Sequence, residues 1–311
     1  MKSIKTALVA FWCMSLLGSI SVAAISPQER KKIENAIPEK APVAAKQARK
    51  LLVFNMDIWD GVVRKGHASI PYGNLAIGMM GRKTRAYETV VSSDIDVFRP
   101  ENIRQFDAIC FNNTTGVLFE DTELKKSLLD FISEGKGFIG IHAAAATFVQ
   151  WPKYDQWPEF GEMLGAYENG GHPWKYNEWI TIKLDEPSHP LNAAFKGKGF
   201  RISDEVFQFQ KPYSRDKLRV LLSIDMDKTE IISGRQIWPE RRKDKDFAVS
   251  WIRNYGKGRV FYSFLGHNPQ TFWNPPILQH YLAGIQFALG DLPADTTPSN
   301  KIAQKEHDNK N

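Results

Sequence analysis

Along this chain, apolar residues gather in short continuous runs, and the stretches between those runs carry apolar residues at helical spacing. Lys50-Leu51-Leu52-Val53-Phe54 has no polar side chain after its first residue, the pattern of a strand covered on both faces. The runs at 106–111 and at Gly137-Phe138-Ile139-Gly140-Ile141 repeat it, and 84–91 is a further strand candidate. Between them, Leu75, Met79 and Met80 recur at helical spacing up to Gly81. The stretch 120–134 sets Leu124, Leu128, Phe131 and Ile132 on one helical face, with Gly135 following as a stop. Strands alternating with helices predict an α/β fold built on a doubly wound, mostly parallel sheet with right-handed crossovers. The second half holds more strand, at 179–184, 206–210, 218–224, 247–253 and 259–264. A last helix over about 276–289 opens on prolines, as helices often do.

The two ends read differently. Lys2 and Lys5 precede an apolar run from Ala7 to Ile20, and Ser21-Val22-Ala23-Ala24 offers small residues for signal-peptidase cleavage. The run is shorter than the roughly 20 residues that span a bilayer, so 1–24 reads as a removable signal peptide and the protein as periplasmic or secreted. Residues 25–49, rich in Lys, Glu, Ala and Pro, read as a tether or a loosely attached helix. Residues 291–311 carry Pro, Thr, Asn and Lys and read as a disordered tail. No repeat and no Gly/Ser-rich linker divides 50–290, which reads as one domain.

Charge and cysteine content narrow the partners. The formal charge of +6 falls to +4 once Lys2 and Lys5 leave with the signal peptide. Both signs are interleaved, as in Arg241-Arg242-Lys243-Asp244-Lys245-Asp246, so no basic stripe points to nucleic acid. Cys13 lies in the signal segment, which leaves Cys110 alone in the mature chain and excludes an internal disulfide. Within Ala108-Ile109-Cys110-Phe111 it reads as a small core residue rather than a reactive thiol.

Open parallel sheets bind ligands beyond the carboxyl ends of their strands, so the residues just past each strand are the place to look. After the first strand come Asp57 and His67, and after the third Asn112-Asn113-Thr114-Thr115-Gly116. His142 follows the fourth strand, and Gly266-His267-Asn268 the last. Gly140-Ile141-His142-Ala143-Ala144 has the strand–turn–helix pattern that lifts one side chain above a sheet edge, here an imidazole. Such a histidine can serve as acid, base or metal ligand, and a helix after it would offer free N–H groups to an anion. The alternative is a histidine that merely caps the turn. Adjacent Asp204 and Glu205 would point to opposite faces of a strand, and Glu205 is taken to face the site. Trp151, Tyr154, Trp157 and Trp174 crowd the loops after the elbow, where aromatic faces can stack on a sugar ring or simply pack as a lid. The histidines lie far apart in sequence with no HxH or HExxH spacing, so the sequence names no metal, although a divalent ion assembled in space stays possible.

Several blocks together carry a family resemblance. Asn113-Thr114-Thr115-Gly116, Gly137 to Ala144, Gly171-His172-Pro173, Asp204-Glu205, and Gly258-Arg259-Val260-Phe261-Tyr262 with Leu265-Gly266-His267 resemble the recurring blocks of the trehalose-utilisation (ThuA-like) family, in the same order. The resemblance spans about 50–290 and implies a flavodoxin-like sheet similar to the class I glutamine amidotransferases. It also implies business with a carbohydrate, a glycoside or keto-disaccharide related to trehalose. Two departures stand out. Ala144-Ala145-Ala146 replaces a frequent Ala-Thr-Asp, and the first loop reads Arg64-Lys65-Gly66-His67 where Gly-Phe-Arg-His is usual. His142 occupies the place of the amidotransferase cysteine, which excludes glutamine hydrolysis by a thiolate. The expected site is therefore His142 as acid/base, with His67, Glu205 and His267 orienting substrate or metal. Asn113, Thr114, Trp151, His172, Trp174 and Asp204 are expected to bind substrate. The reaction, hydrolytic, isomerising or eliminating, is left open, as is a sugar-binding or scaffold protein that keeps the fold without turnover.

Overall fold

The computed structural model describes residues 25–150, 155–168, 172, 174, 177–229 and 242–308. Nine strands form the central sheet: β1 (Lys50–Phe54), β2 (Glu88–Ser92), β3 (Ala108–Asn112), β4 (Gly137–Ile141), β5 (Glu178–Leu184), β6 (Phe200–Asp204), β7 (Arg219–Ile224), β8 (Ala248–Tyr255) and β9 (Gly258–Ser263). Their spatial order is β6-β5-β7-β8-β9-β4-β3-β1-β2. Ladders from β2 through β1, β3 and β4 to β9 are parallel. From β9 outwards through β8, β7, β5 and β6 they are antiparallel. Only β8 and β5 therefore run against the rest, and the sheet is mostly parallel, as the pattern of apolar runs predicts.

The main helices are α1 (Pro27–Ala36), α2 (Ile70–Thr84), α3 (Thr122–Ser133), α4 (Pro158–Leu164), α5 (Pro275–Ala288) and α6 (Ser299–Asp308). Register shows how they wrap the sheet. Ile139 pairs with Phe261, so the two share a face, and Phe138 points to the other. Phe261 lies against His280 of α5, at 5.3 Å between rings, while Phe138 meets Phe160 of α4 edge-on at 5.9 Å. Helices thus cover both faces, which is why β3 and β4 are buried at every position. Cys110 is fully buried in β3, and burial raises its thiol pKa, so it behaves as a core residue.

The structure corrects the expected ends. Of the two readings of 25–49, a tether or a loosely attached helix, the helix is present but firmly packed. Ser26 and Glu29 form a reciprocal capping box that starts α1, and Ile33, Ala36 and Ile37 are buried in the core. Residues 291–308 are not a disordered tail either. Leu292 and Asp291 are buried, Ser299 accepts from the Val220 N–H at 2.9 Å, and 299–308 is helical. The polar composition of both segments hides these few anchoring contacts. The strand expected over 206–210 is reduced to Phe209-Gln210, paired with Tyr167-Glu168. Its neighbour Phe200–Asp204 is the sheet edge β6, where partial exposure interrupts the apolar run with Arg201 and Ser203. A hairpin, Asp57–Trp59 with Val62–Arg64, occupies what reads as a loop. Residues 1–24, which carry the expected signal peptide, lie outside the described residues. Among the described residues no helix is long and apolar enough to cross a membrane.

Candidate functional site

Four strands that run the same way deliver the chemistry to one edge. His67 lies between β1 and α2, His142 directly after β4, Glu205 directly after β6, and His267 shortly after β9. One ligating atom from each of these four side chains lies within 4.8 Å of all the others.

His142 owes its position to a sharp turn. Ile141 is extended, but His142 adopts φ +50°, a left-handed conformation that costs a non-glycine residue about 1–2 kcal/mol. Packing holds it there. The Tyr262 hydroxyl donates to the His142 carbonyl at 2.7 Å, and a Cβ added at Gly140 would come within 2.8 Å of the Tyr262 ring. The Phe207 ring stacks on the imidazole at 4.5 Å. Nδ1 of His142 lies 2.6 Å from the Phe264 carbonyl oxygen, which can only accept, so Nδ1 carries a hydrogen and Nε2 is turned inward.

That inward nitrogen meets Glu205 Oε2 at 3.3 Å and His267 Nδ1 at 3.3 Å, while His267 Nδ1 lies 3.0 Å from the same Glu205 oxygen. The His67 ring stands perpendicular to both imidazoles, at 5.0 and 5.2 Å between centroids. Its Nδ1 is buried and has no hydrogen-bond partner among the described residues. Burial, reinforced by His142 and His267, pushes the His67 pKa down to about 3, which keeps this ring neutral at ordinary pH. At Glu205 burial works to raise the pKa, but the His142 and His267 imidazoles beside it outweigh burial and hold the carboxyl well below the usual range. Burial would lower His267, and its hydrogen bond to Glu205 raises it instead.

Three imidazoles and one buried carboxylate form a donor set suited to first-row divalent metals. Tetrahedral bonds of about 2.0–2.1 Å place ligand atoms roughly 3.3 Å apart, close to the separations among His142, His267 and Glu205. The bond to Phe264 fixes the His142 tautomer in the way a metal-ligating histidine requires.

The ThuA profile, described as trehalose utilisation, matches residues 55–288. The chain belongs to the ThuA family. Its fold is similar to a putative ThuA-like protein from Bacteroides uniformis ATCC 8492, with TM-score 0.58 and 17% identity over 79% of this chain and 92% of that one. A putative ThuA-like protein from Parabacteroides merdae ATCC 43184 gives TM-score 0.53 and 15% identity over 82% and 99%. At such identities the likeness speaks for the fold. No curated protein matches the sequence.

Other expected site residues of this ThuA family member fall in different places. Asp204 does not face the cluster: its fully buried carboxylate accepts from Gly266 N at 2.8 Å, Asn268 N at 3.2 Å and the Thr271 hydroxyl at 3.0 Å. Burial raises its pKa. Adjacency decides this, because Glu205 takes the face that meets the histidines. Thr114 is fully buried, with its hydroxyl 2.6 Å from that of Thr147. Asn113, at φ +57°, is also fully buried, and its amide donates to Gly266 O at 3.4 Å and to Asn112 Oδ1 at 3.1 Å. Trp174 is buried edge-on against Phe247 and is not an open stacking face, while half-buried Trp157 meets Phe148 edge-on. Trp151 and Tyr154 lie outside the described residues. The stretch after the elbow is one buried 3-10 turn, His142–Ala146, rather than a helix offering free N–H groups.

His172 does reach the site. Its Nδ1 lies 3.6 Å from Glu205 Oε1, and its Nε2 4.0 Å from Glu168 Oε1. Burial pushes its pKa down. Glu168, Phe207, Ser69 and the Phe264 carbonyl are contributors that sequence reading misses. A carbonyl leaves no mark in sequence, and Glu168 is held by the short Tyr167-Glu168 and Phe209-Gln210 pairing, which has no periodic signal.

Proposed function

We propose that this chain is an exported, divalent-metal-dependent enzyme acting on a carbohydrate, a glycoside or keto-disaccharide related to trehalose. The observation that carries this reading is the inward Nε2 of His142, fixed by the Phe264 carbonyl and facing Glu205 and His267. A lone pair on this nitrogen would repel the carboxylate unless a cation or a proton lies between them. The orphaned Nδ1 of His67 in the same cluster favours the cation. A bound divalent ion would polarise a sugar carbonyl or lower the pKa of a coordinated hydroxyl or water.

The chain's own residues supply the rest. His67, His142, His267 and Glu205 are the residues that would hold the ion. His172, more exposed than Glu205 and beside its second oxygen, is placed to touch the substrate and pass a proton. The carbohydrate rests on membership of a family described as trehalose utilisation. The closed packing of Trp174 counts against a pure sugar-binding role built on that ring. Export rests on the charged, apolar and small-residue succession in 1–24, and the mature protein is expected to begin at Ala24 or Ile25.

The test is turnover of trehalose and of its keto derivative by the mature protein as purified, after chelation, and after return of Zn2+, Mn2+, Co2+ or Fe2+. Activity lost on chelation and restored by one of these ions supports the reading. Sugar binding without turnover in every metal form would replace it with the non-catalytic alternative.

A further inference from the structure

The Gly266 peptide lies at the centre of the cluster's support. Its N–H donates to Asp204 Oδ2 at 2.8 Å, and its carbonyl accepts from the Ser69 hydroxyl at 2.7 Å and from the Asn113 amide at 3.4 Å. At φ +133° this backbone is one that L side chains rarely adopt, and an added Cβ would press on Ile141 at 2.9 Å. The peptide is therefore held by bonds on both sides in a conformation of little intrinsic preference.

The bonds around it all lead to residues of the cluster. Besides Gly266 N, Asp204 accepts from Asn268 N at 3.2 Å, so one carboxylate grips the backbone on each side of His267. Its Oδ1 also accepts from Glu205 N at 2.9 Å, and its Oδ2 from the Thr271 hydroxyl at 3.0 Å. Ser69 stands two residues beyond His67. Phe264, two residues before Gly266, holds the His142 tautomer. Asp204 and Ser69 thus link, through one peptide, the loops that carry all four cluster residues.

We infer that Asp204 is a positioning residue that sets the His67, His142, His267 and Glu205 side chains for divalent-metal binding, with Ser69 as its counterpart across Gly266. This rests on the metal reading of the cluster. Asp204 itself touches neither metal nor substrate. An ionised carboxylate is the group the position needs, because four donors converge on it and an amide presents only one acceptor oxygen. Outer partners of this kind commonly tune metal affinity by about 10–100-fold.

The experiment measures Zn2+ affinity by competition with a chromophoric chelator, together with the thermal melt of the metal-free protein. It compares the mature wild type with Asp204→Asn and Ser69→Ala. Expected is a Kd at least 10-fold higher for Asp204→Asn and a smaller rise in the same direction for Ser69→Ala, in samples that are fully folded at the assay temperature. Ser69→Ala removes one hydroxyl and decides the matter if Asp204→Asn does not fold. Unchanged Zn2+ affinity in a folded Asp204→Asn, or in Ser69→Ala where Asp204→Asn does not fold, overturns the inference. A wild type that binds no Zn2+ refutes the metal reading itself, a distinct result.

Discussion

His142 is fully buried, with its ring against Phe207 and Nδ1 bound to Phe264, so it serves packing as well as chemistry. The sequence pattern alone suggests a side chain free of the core, and the structure corrects that. His142→Ala would leave a cavity and an unpaired carbonyl, and is expected to cost about 2–4 kcal/mol of stability as well as activity. His142→Gln fills more of the space and is the cleaner probe. Its expected outcome is activity reduced by at least about 100-fold, with a melting temperature closer to wild type than that of the alanine variant. Full activity with a lowered melting temperature would make His142 a turn residue only. Away from the cluster, His280 is fully buried, with Nε2 at 2.9 Å from the Ser250 hydroxyl and Nδ1 at 2.8 Å from Leu191 O. Burial pushes its pKa from 6.5 down to about 4. Between these values the unfolded chain takes up a proton that the folded chain refuses, so stability falls as pH drops from 6.5 to 4 and this loss then levels off. The full effect is on the order of 3 kcal/mol. Urea unfolding at pH 7 and pH 4.5 checks it, and His280→Gln is expected to lose that part of the pH dependence.

At the level of elements, α1 is the sharpest case of a contact hidden by composition. Ile33, Ala36 and Ile37 follow helical spacing, yet Lys, Glu and Pro around them give the segment the look of a linker. Ile33→Ala is expected to cost about 2–5 kcal/mol, read from denaturant midpoints, because the side chain is fully buried against the domain. A loose tether would show no change. The parallel strands were legible for the opposite reason. Burial on both faces leaves uninterrupted runs such as 50–54 and 137–141, whereas the edge strand β6, partly exposed, shows only a broken alternation. The elbow was legible because a glycine-flanked strand end followed by small residues is local. The buried 3-10 turn after it was not, since an alanine run fits a helix equally well.

Across the whole molecule, the two ends of the described chain are clasped together. Arg49 binds Asp291 at 2.6 Å with the carboxylate fully buried, and Gln286 exchanges hydrogen bonds with the Val43 backbone at 3.2 and 2.7 Å. Asp291→Ala removes the buried partner of Arg49, which keeps Asp107 at 3.7 Å, and is expected to destabilise by about 1–3 kcal/mol, measurable by urea unfolding. The site shares this long-range character. His67, His142, Glu205 and His267 come from loops scattered over 200 residues of sequence, so no spacing motif could announce them as one donor set. Strand-end logic finds the four side chains individually, and only the fold brings their ligating atoms within 4.8 Å. The most direct measurement is a Co2+ titration of chelator-stripped mature protein, followed by visible absorption, for wild type and Glu205→Gln. The account requires one equivalent bound by wild type, with ligand-field bands from imidazole and carboxylate coordination, and binding at least about 10-fold weaker in Glu205→Gln. A wild type that takes up no Co2+, or a Glu205→Gln variant with the same affinity and spectrum, would contradict it.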